Sequence, residues 1–250
     1  AVEPTFADVL QRYGKCLLQR NRALQSADKV GFAQAREQAE LWNDQLVDLG
    51  ANLVLMRHNY IDAVGQIAPL EYGRISQKEE RFGVTYLPLG VESAALAWGG
   101  KLEEEIRATH RKLLADSLKK DLATGSTSTG PHKDEILLTL GGNKVRFYGS
   151  QGEKRTCALA LRLAEVAIFR GRQKRTPILL VDDISSELDE IRRRSLLDLL
   201  RDEDAQVFLT ATELPKGLMR DAGRSFAHWE LNNAMRAGDG HHGKNELHSG

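Results

Sequence analysis

The sequence YGSQGEKRT (residues 148–156), a helical pattern after it and then ILLVDDISSELD (residues 178–189) decide the fold. Ser150 and Glu153 have the spacing of a capping box, which predicts a helix beginning at Gln151. The first turn of such a helix presents unpaired N–H groups and partial positive charge, and Gly152 permits close approach, so this turn suits a phosphate. Small or apolar residues then recur at steps of three and four along one helix face: Thr156, Leu159, Ala160, Leu163, Ala164, Ala167 and Ile168.

The second half of this stretch predicts a strand that ends in two carboxylates. Residues 178–181 are apolar without a break, which is typical of a parallel strand buried on both faces. Asp182 and Asp183 follow at the carboxyl end, where ligands bind in α/β sheets. Adjacent carboxylates are costly alone, and a magnesium ion on nucleotide phosphates would stabilise them. A helix at 187–201 and a strand at 206–210 complete a βαβ unit. The residues expected to face inward from that helix are Leu188, Ile191, Leu196, Leu199 and Leu200.

Each of these patterns also has an ordinary structural interpretation. A capped helix that begins Ser-Gln-Gly is commonly no more than a capped helix, and Asp-Asp after a strand is often a turn. Their order and spacing together favour nucleotide binding.

Several motifs in this order resemble those of one family. Residues 150–152 resemble the signature motif of ABC-type ATPases, residues 178–183 resemble their Walker B strand, and residues 185–189 resemble the D-loop. The motifs at 148–156 and 182–189, together with GPHKDE at 130–135, are similar to those of the RecF family of bacterial DNA replication and repair proteins. The resemblance continues more weakly through the preceding helical region and fades after about Glu230.

The resemblance implies an α/β fold, namely the C-terminal part of an ABC-type P-loop ATPase head with a mainly helical arm. It implies a cytoplasmic, nucleoid-associated bacterial protein that forms a homodimer with ATP and Mg²⁺. Such a protein binds single- and double-stranded DNA at gaps or junctions and has weak DNA-dependent ATPase activity. With RecO and RecR it assists RecA loading in replication, recombinational repair and the SOS response.

The same resemblance implies roles for individual residues. In such heads the signature of one subunit completes the nucleotide site of the other, so Ser150, Gln151 and Gly152 would contact a partner's nucleotide. Asp182 would hold Mg²⁺, and Asp183 would orient or deprotonate the attacking water.

In the D-loop, Ser186 and Asp189 would help to join the two sites. ABC ATPases usually have a glutamate where Asp183 stands and a switch histidine where Thr212 stands, and these departures imply slow hydrolysis. His132 and Asp134 become site candidates only through the resemblance.

Residues 125–130 have the glycine spacing of a P-loop, but Pro131 stands where the phosphate-binding lysine is required, so we predict a linker. Nothing else in the sequence supplies a Walker A motif. The resemblance places that motif in a segment before this chain or on another chain. We therefore predict that the chain by itself binds ATP weakly or not at all and is catalytically inactive.

The rest of the chain predicts a helical domain and a tail. We predict an arm at 1–124, the ATPase half at 125–231 and a disordered tail at 232–250. Within them we expect helices at 5–25, 32–64 and 101–122, a strand at 82–88, and a hairpin of 136–140 with 144–148. In the first helix, one side carries Leu10, Tyr13, Leu17 and Leu24, and the arginines at 12, 20 and 22 are placed elsewhere.

Composition limits the partners. The 250 residues carry 35 basic and 35 acidic side chains, so DNA binding must use a local patch. Arg172, Lys174 and Arg175, in the basic loop at 170–175, are the most compact candidate. Cys16 and Cys157 indicate reduced thiols, and we find no pattern of a membrane span or signal peptide.

Two other functions remain open. A head related to structural-maintenance proteins and Rad50 would need paired coiled coils far longer than 32–64 allows. A non-catalytic module that binds DNA or protein partners would turn over no ATP. A glycine-rich loop with a lysine, encoded upstream, would favour the ATPase.

Overall fold

The structure is a computed structural model that describes residues 4–78, 80–91, 102–173, 177–182, 191, 194–196, 198, 206–211, 227–228 and 246–247. The helices are α1 (Pro4–Gln25), α2 (Ala27–Val30), α3 (Phe32–Glu40), α4 (Asn43–Ser76), α5 (Leu102–Thr124), α6 (Val145–Tyr148) and α7 (Gln151–Gln173). The strands are β1 (Phe82–Leu87), β2 (Glu135–Leu140), β3 (Asn143–Lys144), β4 (Ile178–Val181), β5 (Gln206–Leu209), β6 (Ala227–His228) and β7 (Glu246–Leu247).

The chain divides into two compact units. The larger unit comprises residues 1–73 and 78–175, and the smaller unit comprises residues 74–77 and 176–250. This division does not follow the boundary predicted at residue 124, because β1 on one side of it pairs with β2 on the other. The separation into arm and ATPase half remains a prediction about function.

A helical core fills the larger unit. Its main cluster joins α1, α4 and α5 through Tyr13, Cys16, Leu46, Val47, Leu49, Leu53 and Leu114. The element predicted at 32–64 is instead two helices, and α4 continues through Pro69 to Ser76. Tyr72 and Ile75 are fully buried beyond that proline, so packing of this last stretch outweighs the hydrogen bond that proline removes.

An antiparallel sheet of order β1-β2-β3 completes the larger unit. The predicted strand at 82–88 and the hairpin turn are confirmed, with Phe82 opposite Leu140. Gly141 and Gly142 have φ of 56° and 85°, the left-handed pair that a tight hairpin turn requires. The second hairpin strand, predicted at 144–148, is wrong, because the ladder ends at Lys144 and Val145 turns inward to begin α6.

The segment predicted as a linker, residues 125–130, is fixed by buried polar contacts. The Thr127 side chain is 2% exposed, and its hydroxyl accepts a hydrogen bond from Arg20 Nη1 at 2.7 Å. The same Nη1 donates to Asp121 Oδ2 at 2.9 Å, and both charged side chains are completely buried. The placement of Arg20 away from the inward face of α1 is therefore wrong. The placement of Leu10 on that face is also wrong, since Leu10 is 42% exposed.

In the smaller unit, β4 and β5 pair in parallel, as predicted, with Ile178 opposite Gln206. The expectation that this strand is buried on both faces is wrong, since Leu180 is 79% exposed. One face of this two-stranded ladder is exposed, and the other is half-buried at Leu179 and Val181. In the following helix Leu196 is buried as predicted, whereas Ile191 is exposed.

The tail predicted to be disordered contains one described element. Glu246 and Leu247 form β7, which pairs with β6 in antiparallel fashion. Backbone hydrogen bonding thus orders these two residues, and the remainder of 232–250 lies outside the described residues.

Candidate functional site

The turn that begins α7 has the predicted capping box. Both the backbone N–H and the hydroxyl of Ser150 donate to Glu153 Oε2 at 2.9 Å. In return the Glu153 N–H donates to Ser150 Oγ at 3.3 Å. These reciprocal bonds fix the first turn, so the sequence pattern is confirmed in its local geometry.

Ser150 and Gln151 are exposed, and Gly152 is half-buried. The predicted inward face of α7 is confirmed at Thr156, Ala160, Leu163 and Ala164, all buried. Its continuation to Ala167 is wrong, since Ala167 is exposed. Because the helix is anchored by that face, its N-terminal turn stays accessible. An N-terminal turn with exposed hydroxyl and backbone donors is suited to an anion such as phosphate.

A close backbone junction sets the position of this turn. The Gly149 N–H donates to the Val145 carbonyl oxygen at 3.0 Å, which closes α6 directly before Ser150. A Cβ at Gly149 would lie 2.8 Å from that oxygen, so any larger residue would move the junction. Glycine at 149 therefore fixes where the first turn of α7, residues 150–152, begins. We refer to these residues as the signature turn, after the motif that they resemble.

Asp182 lies in the smaller unit, directly after β4. Its carboxylate is exposed and accepts a hydrogen bond from the Thr210 hydroxyl. The Thr210 N–H donates to the Val181 carbonyl oxygen at 3.0 Å, which extends the parallel ladder to this point. An exposed carboxylate is a suitable oxygen ligand for Mg²⁺. The described residues hold no cluster of three or more possible metal ligands, so Asp182 by itself does not form a metal site.

The remaining predicted site residues fall unevenly on the structure. Arg172 is described and exposed, but it belongs to the last turn of α7, since the helix runs through most of the predicted basic loop. Positive side chains at this end complement the helix dipole. Six others lie outside the described residues: Lys174, Arg175, Asp183, Ser186, Asp189 and Thr212.

The imidazole of His132 is held from both sides. Nε2 lies 3.0 Å from the Thr127 carbonyl oxygen and Nδ1 lies 2.9 Å from the Tyr13 hydroxyl oxygen. A carbonyl can only accept, so Nε2 carries the proton and Nδ1 accepts from Tyr13. Burial lowers the pKa of His132 below its ordinary value, which keeps the ring neutral.

Asp134 is likewise engaged inside the protein. Its side chain is 2% exposed and accepts bonds from the Tyr86 hydroxyl and, at 2.9 Å, the Leu89 N–H. Arg57 Nη1 lies 3.4 Å from the same carboxylate and also donates to the Pro131 carbonyl oxygen. Burial and the hydrogen bond with Asp134 raise the pKa of Tyr86. Sequence reasoning missed these partners, and the spacing of the motif gave no signal for them.

Neither cysteine is part of a reactive site. Cys16 and Cys157 are both free and buried, and burial raises the pKa of each thiol to about 11. A thiol with this pKa stays protonated near neutral pH and is a poor nucleophile. Among the described helices, none combines the length and hydrophobicity that a membrane crossing requires.

Comparison with known proteins gives one consistent result. No family model matches the chain. The chain is 39% identical over 217 residues to the DNA replication and repair protein RecF of Heliobacterium modesticaldum, an alignment covering 84% of the chain and 54% of that protein. It is 34% identical over 202 residues to RecF of Geobacter sulfurreducens, covering 81% of the chain and 52% of that protein. The chain thus spans about half the length of the curated relatives it matches.

Solved structures agree. A structure of the recombination mediator protein RecF with ATP, in the RecFOR pathway, matches with a TM-score of 0.73 and 30% identity, covering 86% of the chain and 55% of that protein. The corresponding ATPrS structure matches with a TM-score of 0.70 and 29% identity, covering 84% and 54%.

Proposed function

The chain belongs to the RecF family of DNA replication and repair proteins, and we propose from this that it supplies the signature and Walker B parts of an ATP-dependent, dimerising, DNA-binding ATPase head. The observation that carries this proposal is the exposed, capped turn at Ser150. It is fixed by its own hydrogen bonds and by the Gly149 junction, so the backbone of the turn needs no further ordering when it binds.

In this proposal, the signature turn binds the γ-phosphate of a nucleotide held by a second subunit. The Ser150 hydroxyl, which now donates to Glu153, turns to the phosphate when that subunit docks. Gly152 adds a backbone donor at a position where no side chain intervenes. Nucleotide binding then becomes the event that joins two subunits.

The carboxylates that follow β4 provide the catalytic part. Asp182 would hold Mg²⁺, and the Thr210 hydroxyl, which donates to its carboxylate, would keep that side chain in position. Mg²⁺, when bound, neutralises charge on the nucleotide phosphates. Asp183 orients the attacking water and accepts its proton, and the absence of a histidine at Thr212 makes turnover slow. Slow turnover suits a switch that stays dimeric on DNA.

DNA binding and partner proteins complete the proposal. Arg172, Lys174 and Arg175 contact DNA phosphates, since the net charge of the chain is zero and attraction must be local. The pathway is RecF-mediated repair, in which the dimer works with RecO and RecR at DNA gaps or junctions to assist RecA. Two of the structural relatives are described as recombination mediators in the RecFOR pathway, which supports this assignment.

The test is Ser150→Arg in a completed protein, meaning this chain joined to the complementary half of a RecF relative. An arginine puts a long cation where a phosphate oxygen would fit. We expect each subunit to bind ATP normally while ATP-dependent dimerisation, measured by light scattering, is lost. Ser126→Arg, at another exposed serine, is the matched control and should leave the dimer intact. An ATP-bound dimer of unchanged affinity in the Ser150 variant contradicts the proposal.

A further inference from the structure

Two neighbouring aromatic side chains are exposed directly before the signature turn. Phe147 is 69% exposed and Tyr148 is 75% exposed, whereas Tyr13, Phe82 and Tyr86 are all at most 5% exposed. Aromatic side chains gain most from burial, so an adjacent exposed pair marks a surface that a partner covers. We refer to Phe147 and Tyr148 as the aromatic pair.

The aromatic pair is held in place. Val145, 4% exposed, anchors α6 from below, and the Gly149 N–H bond to its carbonyl closes the turn. The Arg146 guanidinium lies 5.7 Å from the centre of the Phe147 ring. Such a distance permits a cation–π contact that restrains the Arg146 and Phe147 side chains. A restrained aromatic surface loses little entropy when a partner binds.

We infer that the aromatic pair is a contact surface for a second copy of the protein in the ATP-bound dimer. This inference rests on the proposed function, because it takes Ser150 to be reached by another subunit. Tyr148 stands two positions before Ser150 in the chain, so their Cα atoms are at most about 7 Å apart. A stable interface buries roughly 800 Å² on each partner, which corresponds to a disc about 16 Å in radius. A subunit whose interface is centred near Ser150 therefore covers the aromatic pair.

The composition of this surface agrees with an interface core. Aromatic residues and arginine are enriched at such cores and carry much of the binding energy, and here Arg146 stands beside the aromatic pair. Lys144 and Arg146 are both exposed, and the acidic side chain that follows them, Glu153, accepts hydrogen bonds from Ser150. The surface thus offers a positive rim to the nucleotide-bearing face of the second copy. DNA shares this preference for cations and aromatic rings, and the experiment separates the two.

The direct test is photo-crosslinking in the completed protein with p-benzoylphenylalanine at position 148. We expect a crosslinked dimer with ATP and Mg²⁺ and none without nucleotide. The same probe at Phe32, which is 60% exposed on α3, is the matched control and should give no dimer crosslink. A crosslink to DNA in place of the second copy, no crosslink with ATP, or equal dimer yields at both positions would each overturn the inference.

A binding measurement gives an independent result. We expect Phe147→Ser and Tyr148→Ser each to weaken ATP-dependent dimerisation at least about tenfold, the scale of a central interface aromatic, while ATP binding to the monomer is unchanged. Phe32→Ser should leave dimerisation unchanged. If Ser150→Arg abolishes the dimer and the aromatic variants do not weaken it, the inference is wrong and the proposed function stands. If Ser150→Arg also leaves the dimer intact, the proposed function itself fails.

Discussion

Replacing Asp121 by alanine tests the buried polar network that fixes residues 125–130. The carboxylate is completely buried and accepts hydrogen bonds from Arg20 Nη1 at 2.9 Å and from the Ser117 hydroxyl at 3.1 Å. Its other oxygen accepts from the Ser128 N–H at 3.0 Å and the Ser128 hydroxyl at 2.7 Å. Alanine removes all four bonds and leaves the Arg20 guanidinium buried without its counter-charge.

The expected loss follows from that stranded charge. Removing one partner of a buried ion pair costs about 3–5 kcal/mol of unfolding free energy. Folded proteins have only about 5–15 kcal/mol in total, so the variant should lose a large share of its stability. For a chain of this length, each kcal/mol corresponds to roughly 2–4 °C, so the thermal midpoint should fall by at least about 6 °C.

Urea unfolding of the full chain, followed by far-UV circular dichroism, measures the loss. Asp116→Ala is the matched control, because Asp116 lies on the same helix α5 and is exposed. We expect the control to change the unfolding free energy by less than about 0.5 kcal/mol. Combining Asp121→Ala with Arg20→Met should recover part of the loss, since the buried charge is gone. A loss no larger than that of the control would refute the reasoning.

Three further predictions concern the site and its surroundings. In the completed protein, Asp183→Asn should keep ATP binding and slow hydrolysis about 100-fold or more, whereas Asp182→Asn should weaken Mg²⁺-dependent ATP binding; equal, small effects in both assays would indicate a structural turn. Neutralising the three basic side chains proposed to contact DNA should flatten the salt dependence of DNA binding by up to about three phosphate contacts, and an unchanged slope would place the DNA surface elsewhere. Burial lowers the pKa of His132 below 6.5, so as the pH falls the unfolded state binds a proton before the folded state does. The contribution of His132 to stability is therefore complete above pH 6.5 and is lost below it. In a plot of the urea unfolding midpoint against pH, His132→Gln should make the decline below pH 6.5 shallower.

The elements that local sequence determines were predictable. The capping box at Ser150 and Glu153 depends on two side chains three residues apart, and it forms as expected. The apolar face of α7 and the parallel pairing of β4 with β5 also follow from short-range pattern. In each case, the interactions that decide the structure lie within one helix or between two apolar strands of a βαβ unit.

The buried network around Arg20 was not predictable, because it joins residues 101 and 107 positions apart. One signal was present: Arg20 stands seven residues after Tyr13, hence on the same face of α1. Charge was the reason to place it outside. A charged residue at a core position predicts a buried counter-charge somewhere, but helix periodicity cannot say that the partner is Asp121.

The prediction that the strand at 178–181 is buried on both faces failed for a different reason. An apolar run such as residues 178–181 indicates that a strand has no polar face, but it does not say what covers each face. Leu180 and Ile178 are 79% and 61% exposed in the described structure. Packing partners are a tertiary property, and sequence pattern alone gives only the preference to be covered.

The residues of the GPHKDE motif differ in burial, although the sequence gives no reason to distinguish them. In GPHKDE, the resemblance raises both His132 and Asp134 to site candidates, yet both side chains are engaged inside the larger unit. Gly130 has φ of 118°, and a Cβ there would lie 2.6 Å from the Tyr13 hydroxyl oxygen, so even the glycine of the motif serves this packing. Lys133 is the exposed member between them. Loss of function after changing His132 would therefore report on the loop's position first. A direct contact between this motif and a ligand would use Lys133 or Glu135, which are both exposed.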